Sequence, residues 1–296
     1  MTSGTSIGVI GLGLMGSALA ARLIEAATPV IGFDIDAARC EALQAAGGDI
    51  AVSAAQVAAR CRTVVIAVYD AAQVEELLPE LIVSPAEPPL VICTTTCAPG
   101  EIVSLASQAV RMNLPLIEAP ISGTSEDVRA GTATALIAGN ANAIEAVRCT
   151  LDILCPQRIP VGQIGNASRT KLAINLILQN NRAALAEGIA FAERLGLDGA
   201  TFLATARQSA AYSKVMDSKG PKMLARDFVP QSHISQTLKD AELILREAER
   251  HQLTLPMTTT QTALLRTAIA LAGPDCDSSA VIEAIRTKRS LPRRGT

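Results

Sequence analysis

The run G-L-G-L-M-G (Gly11, Leu12, Gly13, Leu14, Met15, Gly16) follows directly on a short apolar stretch at residues 7–10 and precedes an apolar helical pattern. Few folds accommodate that arrangement: a strand must stop in a tight turn and a helix must begin at once, close against it. Gly11 permits the turn, Gly13 lets a pyrophosphate approach the backbone, and Gly16 lets the helix pack on the strand. Free N–H groups at the positive end of the helix then face the phosphates. The bland alternative is a glycine turn without a ligand; the strand–turn–helix context favours a dinucleotide site.

Asp34 stands 23 positions after Gly11, at the end of a second predicted strand. A carboxylate there accepts hydrogen bonds from the adenosine ribose hydroxyls and repels the 2′-phosphate of NADP. Ile35 follows it, where a phosphate-binding arginine would favour NADP, so NAD is the expected cofactor; Arg39 nearby keeps NADP as the lesser alternative. Asp34 can also be read as a turn or cap for the helix at 37–46, a role open to Asp36.

Predicted strands at 7–10, 29–33, 63–68, 90–93, 115–118 and 133–138 alternate with helical patterns such as 17–26 and 37–46, and 158–161 can add an edge strand. This rhythm predicts a doubly wound, Rossmann-type parallel sheet with helices on both faces. The pattern then changes. Residues 166–195 form one proline-free, mostly apolar helical run, about 45 Å long at 1.5 Å per residue. Asn166 suits its N-cap and Gly196 its C-terminal stop. Helical patterns continue at 199–208, 233–251, 257–272 and 278–288, with no strand among them. The expectation is a dinucleotide-binding domain at 1–165 and an all-helical substrate and oligomerisation domain at 166–296, joined by the long helix. So apolar a helix needs more cover than one small domain supplies, which points to a homodimer or larger homo-oligomer. Residues 286–296 carry five basic residues and read as a solvated terminus.

Composition excludes several classes. A formal net charge of −2 gives no footprint for nucleic acid or a membrane surface. No apolar stretch reaches the roughly 18 residues of a membrane span, and residues 1–6 lack the basic start of a secretory signal. The seven cysteines, with no C-x-x-C, read as thiols in a reducing compartment, so a cytoplasmic location is expected. Cys93 and Cys97 lack companion metal ligands, since His233 and His251 lie far along the chain. Both histidines read as surface or helix-end residues.

Four blocks in order make the chain similar to the β-hydroxyacid dehydrogenase family over nearly its whole length: V-I-G-L-G-L-M-G, T-T-C-A-P at Thr95–Pro99, E-A-P-I-S-G-T at Glu118–Thr124, and G-N-A-S-R-T-K-L-A-I-N, which contains Lys171 and Asn175. A later L-K-D, ending at Asp240, also matches. The resemblance implies hydride transfer between NAD and a small 3-hydroxy acid, or its semialdehyde or keto acid, with Lys171 as acid/base catalyst. It places Ser122, Gly123, Thr124, Asn175 and Lys239 at the substrate, and Val68, Thr96 and Lys239 beside the cofactor. Departures occur at Leu19 and Arg22, where the family has methionine and asparagine, at Glu118 for aspartate, at Thr124 for glycine, and at Ile174 for asparagine. The change at Thr124 bears on substrate identity more than on reaction type.

Elementary chemistry agrees in part. Lys171 can donate a proton to a carbonyl or accept one from an alcohol, provided burial beside the positive nicotinamide lowers its pKa. Asn175, four residues on, shares its helix face. By spacing alone the two could be a polar surface stripe, Ser122–Gly123 an ordinary turn, and Lys239 a partner for Asp240 or Glu242. Residues 210–230, with Tyr212 and Phe228, read as an interhelical loop or a substrate lid. Two other functions remain: an imine reductase on the same fold, whose known members usually lack the lysine, and a non-catalytic dinucleotide-binding protein. A decarboxylating phosphogluconate dehydrogenase is disfavoured by its longer chain.

Overall fold

Short runs rich in Val and Ile, such as IGVI, VIGF and TVVI, are buried on both faces, as parallel strands covered by helices must be. The computed structural model describes residues 6–83 and 87–287. Its strands are β1 Ile7–Ile10, β2 Val30–Phe33, β3 Asp49–Ile50, β4 Thr63–Ile66, β5 Leu90–Cys93, β6 Leu116–Glu118, β7 Ile121–Ser122, β8 Thr134–Ala138 and β9 Gln157–Gly162. Interleaved with them lie α1 Leu14–Glu25, α2 Ala37–Ala45, α3 Ala54–Arg60, α4 Ala71–Glu80, α5 Pro99–Arg111, α6 Ser125–Arg129, α7 Ala141–Ala146 and α8 Arg148–Leu154. The sheet order is β3-β2-β1-β4-β5-β6-β8-β7, with β9 added on β8. Strands β1 to β6 are mutually parallel, whereas β8 runs antiparallel to β6 and β7. The chain therefore reverses its direction of travel across the sheet between β1 and β4, where doubly wound folds open a crevice for ligands. Successive residues of β1 serve opposite faces: Val9 belongs to the apolar cluster that includes Leu19 and Leu23 of α1, and Ile10 to the one that includes Val57, Val74 and Ile102.

The chain divides into two compact units, the first ending at Leu172 and the second beginning at Ala173. Helix α9 Asn166–Arg194 is shared between them, its first two turns lying with the first unit and the rest with the second. The reason is local: the Glu118 carboxylate at the end of β6 accepts the N–H groups of Gly165 and Ser168, which ties the first turn of α9 to the sheet. That carboxylate also replaces the expected cap. The Asn166 amide instead donates to Val161 O, and its oxygen accepts from Arg169. At the far end Gly196 adopts φ +81°, and Leu197 N–H bonds back to Ala192 O, closing the helix as expected.

The second unit is helical: the rest of α9, then α10 Gly199–Arg207, α11 Val215–Ala225, α12 Ile234–Arg250, α13 Pro256–Ala272, a 3₁₀ turn Ser278–Ala280 and α14 Val281–Arg286. Its core is built from Leu185, Ile189, Leu203, Met223, Ile234, Leu265 and Ile282. The segment 210–230 is not simply a loop. Its middle is α11, which buries Val215, Met216 and Met223. Beneath it the Lys219 ammonium lies 2.8 Å from Asp277, both side chains being almost wholly enclosed. The tail beyond residue 287, including Lys288 and the basic terminus, lies outside the described residues. Among the described residues no helix is long and apolar enough to cross a membrane.

Candidate active site

Within the first unit the parallel strands place the loops after β1, β2, β4, β5 and β6 at one edge, because they all end in the same direction. Backbone hydrogen bonds run one residue beyond the strands there, from Gly11 to Phe33, Ala67 to Ile10, Thr94 to Ile66 and Ala119 to Cys93. The glycine loop, Asp34, Val68, Thr96 and the Ser122 loop are therefore neighbours along a single edge.

The three glycines answer to different demands. Gly11 has φ +87°, and a Cβ there would lie 2.6 Å from Ala67 O. At Gly16 a Cβ would lie 1.8 Å from Gly11 O, so only glycine lets α1 sit on the turn. Nothing of that kind constrains Gly13: its φ is −66°, and a Cβ would meet only Arg39 Nη1 at 3.8 Å. It is the N-cap of α1 and offers no side-chain cap to that helix. A bare backbone at a positive helix end, where the protein itself has room for a side chain, fits a pyrophosphate.

Asp34 is buried and closes over the same loop. Its Oδ2 accepts the Leu12 N–H at 2.6 Å and its Oδ1 the Asp36 N–H at 2.9 Å. The capping role belongs to Asp36, whose side chain accepts the Ala38 N–H at the start of α2. Arg39 lies 3.4 Å from Asp34 and 3.3 Å from Asp36, with half its side chain exposed. On the other side of the crevice, Thr95 Oγ1 donates to Val68 O at 3.1 Å, which joins the loop after β5 to that after β4. Thr96 is half-buried beside it.

The loop after β6 carries Ser122 and Gly123, the latter at φ +144°, where a Cβ would be strained and would crowd Ala133 and Asp127 at 3.1 Å. Thr124 departs from the sequence expectation. Its N–H and its hydroxyl both reach Asp127 Oδ2 at 2.8 Å, and its hydroxyl accepts the Asp127 N–H, forming the N-cap box of α6. Its backbone N–H and its hydroxyl therefore serve the start of α6. Lys171 is 6% exposed and lies one turn beyond Ser168 in α9.

In the second unit Asn175, also on α9, donates to Asp240 Oδ2 at 2.9 Å, and Lys239 Nζ lies 3.2 Å from Asp240 Oδ1. Between the two partners that spacing left open, Lys239 takes Asp240; Glu242 pairs with Arg266. Burial pushes the nearby Arg182 guanidinium down to about 10, against the opposing pull of Asp277 and Asp240. Asp240 and Glu118 are the polar residues that sequence reading did not assign to the site. Both sat in matched blocks, but partners 65 and 50 residues away leave no mark in local spacing. His233 and His251 stand at the two ends of α12.

The family profile for the NAD binding domain of 6-phosphogluconate dehydrogenase matches residues 6–162, and that for the NAD-binding of NADP-dependent 3-hydroxyisobutyrate dehydrogenase matches residues 165–285. Glyoxylate/succinic semialdehyde reductase 2 of Arabidopsis thaliana, a chloroplastic protein, is 27% identical over 96% of this chain and 80% of its own. The 3-hydroxyisobutyrate dehydrogenase of Salmonella typhimurium superposes with a TM-score of 0.86 at 25% identity, covering 94% of this chain and 99% of its own. An imine reductase from a Pseudomonas species shares the fold less closely, with a TM-score of 0.66 at 22% identity over 95% of this chain and 99% of its own. A nicotinamide dinucleotide fold on residues 6–162, followed by a helical region matched as far as residue 285, places the chain in the β-hydroxyacid dehydrogenase family of oxidoreductases.

Proposed function

We propose that this protein interconverts a small 3-hydroxy acid and the corresponding semialdehyde or keto acid with NAD, using Lys171 as the acid/base group. The observation that carries the reading is a buried lysine, 6% exposed, one turn beyond the point where α9 is fixed to the ligand-binding edge of the sheet. When bound, the nicotinamide supplies or takes up the hydride. Lys171 Nζ, as the ammonium, donates its proton to the carbonyl oxygen during reduction; as the amine, it takes the hydroxyl proton during oxidation. Ser122 Oγ and the Gly123 N–H hold the substrate carboxylate. Within the second unit Asn175 spends one of its two amide N–H donors on Asp240; the family resemblance is what assigns Asn175 and Lys239 to the substrate. The glyoxylate/succinic semialdehyde reductase among the relatives agrees with a small carboxylate-bearing substrate.

The choice of NAD rests on Asp34, a buried carboxylate beside the glycine loop, followed by Ile35, which is 91% exposed and offers nothing to a phosphate. Combining Asp34→Ser with Ile35→Arg should shift the ratio of kcat/KM values toward NADP by roughly tenfold, equivalent to about 1.4 kcal/mol. A preference for NADP in the unaltered protein would refute the reading.

A homodimer or larger assembly is part of the same proposal. One face of α9 presents Ile177 and Phe191 at 59% and 65% exposure, with Ala184 on the same stripe and Leu195, just past the helix end, at 62%. Apolar side chains at helical spacing left in water favour a second copy as their cover. Phe191→Asp should reduce the sedimenting mass to that of one chain; an unaltered protein already sedimenting as a single chain contradicts the proposal.

A further inference from the structure

We propose that Glu118 is a positioning residue for Lys171, coupling the substrate loop to the helix that carries the acid/base group. The inference rests on the reading of Lys171 given above. Glu118 is 1% exposed, so its carboxylate is inside the protein. A buried carboxylate is costly unless it is fully engaged. Here Oε2 accepts the Gly165 N–H at 2.7 Å and Oε1 accepts the Ser168 N–H at 2.5 Å, both at the positive end of α9. Charge-assisted bonds of this kind are short and directional. They hold the first turn in place, because the residue just before the helix and the third residue within it are held by the two oxygens of a single planar group.

Both halves of the site leave from that group. Glu118 is the last residue of β6, and the chain reaches Ser122 and Gly123 four and five residues later. In the other direction Lys171 follows Ser168 by three residues, a rise of about 4.5 Å along the helix. Gly165, at φ +93°, lets the backbone turn its N–H onto the carboxylate immediately before the helix starts. Asn166 does not share the task, since its side chain is bonded to Val161 and Arg169. A displacement on the order of 1 Å at a reacting group can cost about a hundredfold in rate, so a carboxylate that sets the helix sets the turnover number.

A role confined to folding predicts a different signature from a positioning role. Glu118→Gln keeps the shape and one carbonyl oxygen but turns an amide N–H onto a backbone N–H. Its kcat should fall by roughly 10- to 100-fold, while KM for the dinucleotide and cofactor binding by fluorescence stay within about twofold. Glu118→Asp, which keeps both oxygens on a shorter stem, should recover most of that loss; it also carries the comparison if the glutamine variant unfolds. The decisive arm is a double-mutant cycle with Lys171→Ala, read on residual turnover. If Glu118 acts through Lys171, Glu118→Gln changes that residual rate by less than about threefold. Equal losses in the two backgrounds, or an unchanged kcat in Glu118→Gln, overturn the positioning role and leave the Lys171 assignment standing. Wild-type turnover in Lys171→Ala alone overturns that assignment, and the positioning role with it.

Discussion

Replacing Lys171 by alanine should lower kcat by about 10²- to 10⁴-fold, the span that a positioned acid/base group contributes, and leave dinucleotide affinity nearly unchanged. The separation follows from where the parts sit. The glycine loop, Asp34 and Val68 belong to the β1, β2 and β4 ends of the sheet, whereas Lys171 belongs to α9. Removing its side chain takes away the proposed proton donor without touching Gly13 and the start of α1, the proposed phosphate cradle. Stopped-flow turnover with saturating cofactor, beside equilibrium binding of the reduced dinucleotide, measures both quantities. Undiminished kcat contradicts the assignment. A parallel loss of cofactor affinity makes Lys171 a binding residue.

The largest effect on stability is expected at Asp277. Its side chain is fully buried; it accepts Lys219 Nζ at 2.8 Å, the N–H groups of Gln231 and Ser232 at 2.9 and 3.2 Å, and the Ser279 N–H at 2.9 Å. Asp277→Ala leaves an ammonium inside the helical unit without its counter-charge and three N–H groups without an acceptor. Removing one partner of a buried pair costs about 3–5 kcal/mol, a large part of the roughly 5–15 kcal/mol that holds a domain together. Lys219→Met should cost less, because the carboxylate keeps its three N–H donors. The carboxyl also gives this unit a pH dependence. Burial alone would raise its pKa, but the Lys219 ammonium and the backbone donors outweigh burial and hold it below the usual carboxylate range. With the folded value below the unfolded one, near 3.9, the contribution is fully present above that pH and is lost as pH falls through the folded value. Acid should therefore destabilise the native protein more steeply than Asp277→Ala. Denaturant unfolding at pH 7 and at pH 3 tests both statements; an Asp277→Ala loss under about 1 kcal/mol contradicts the first.

Much of this architecture was legible because it is periodic. Buried strands such as β4 and β5 read as short Val- and Ile-rich runs, and helices α2, α9, α10, α12 and α13 matched their patterns to within a residue or two. The strands that escaped, β3 and β7, are two residues each, too short for any alternation to register. The segment around α11 escaped for another reason. Its Gly220, Pro221 and lysines look like loop chemistry, yet Lys219 and Lys222 are buried through partners, at Asp277 and Asp227, that only tertiary structure supplies. The same limit applied at the site. Gly11, Gly13 and Gly16 shape one short backbone turn, so their spacing announces them, and Asp34 is marked by its place at the end of the next strand. Glu118 and Asp240 act on α9 from 50 and 65 residues away, and Thr124 turned out to bond its own helix through Asp127.

The measurement that tests the central claim most directly is nicotinamide absorbance on the pure protein, with NAD and NADP in parallel, against a panel of short 3-hydroxy acids, semialdehydes and cyclic imines. The account predicts turnover of a carboxylate-bearing alcohol or carbonyl with NAD, abolished in Lys171→Ala. Turnover of imines alone, or none with any member despite tight dinucleotide binding, would contradict it.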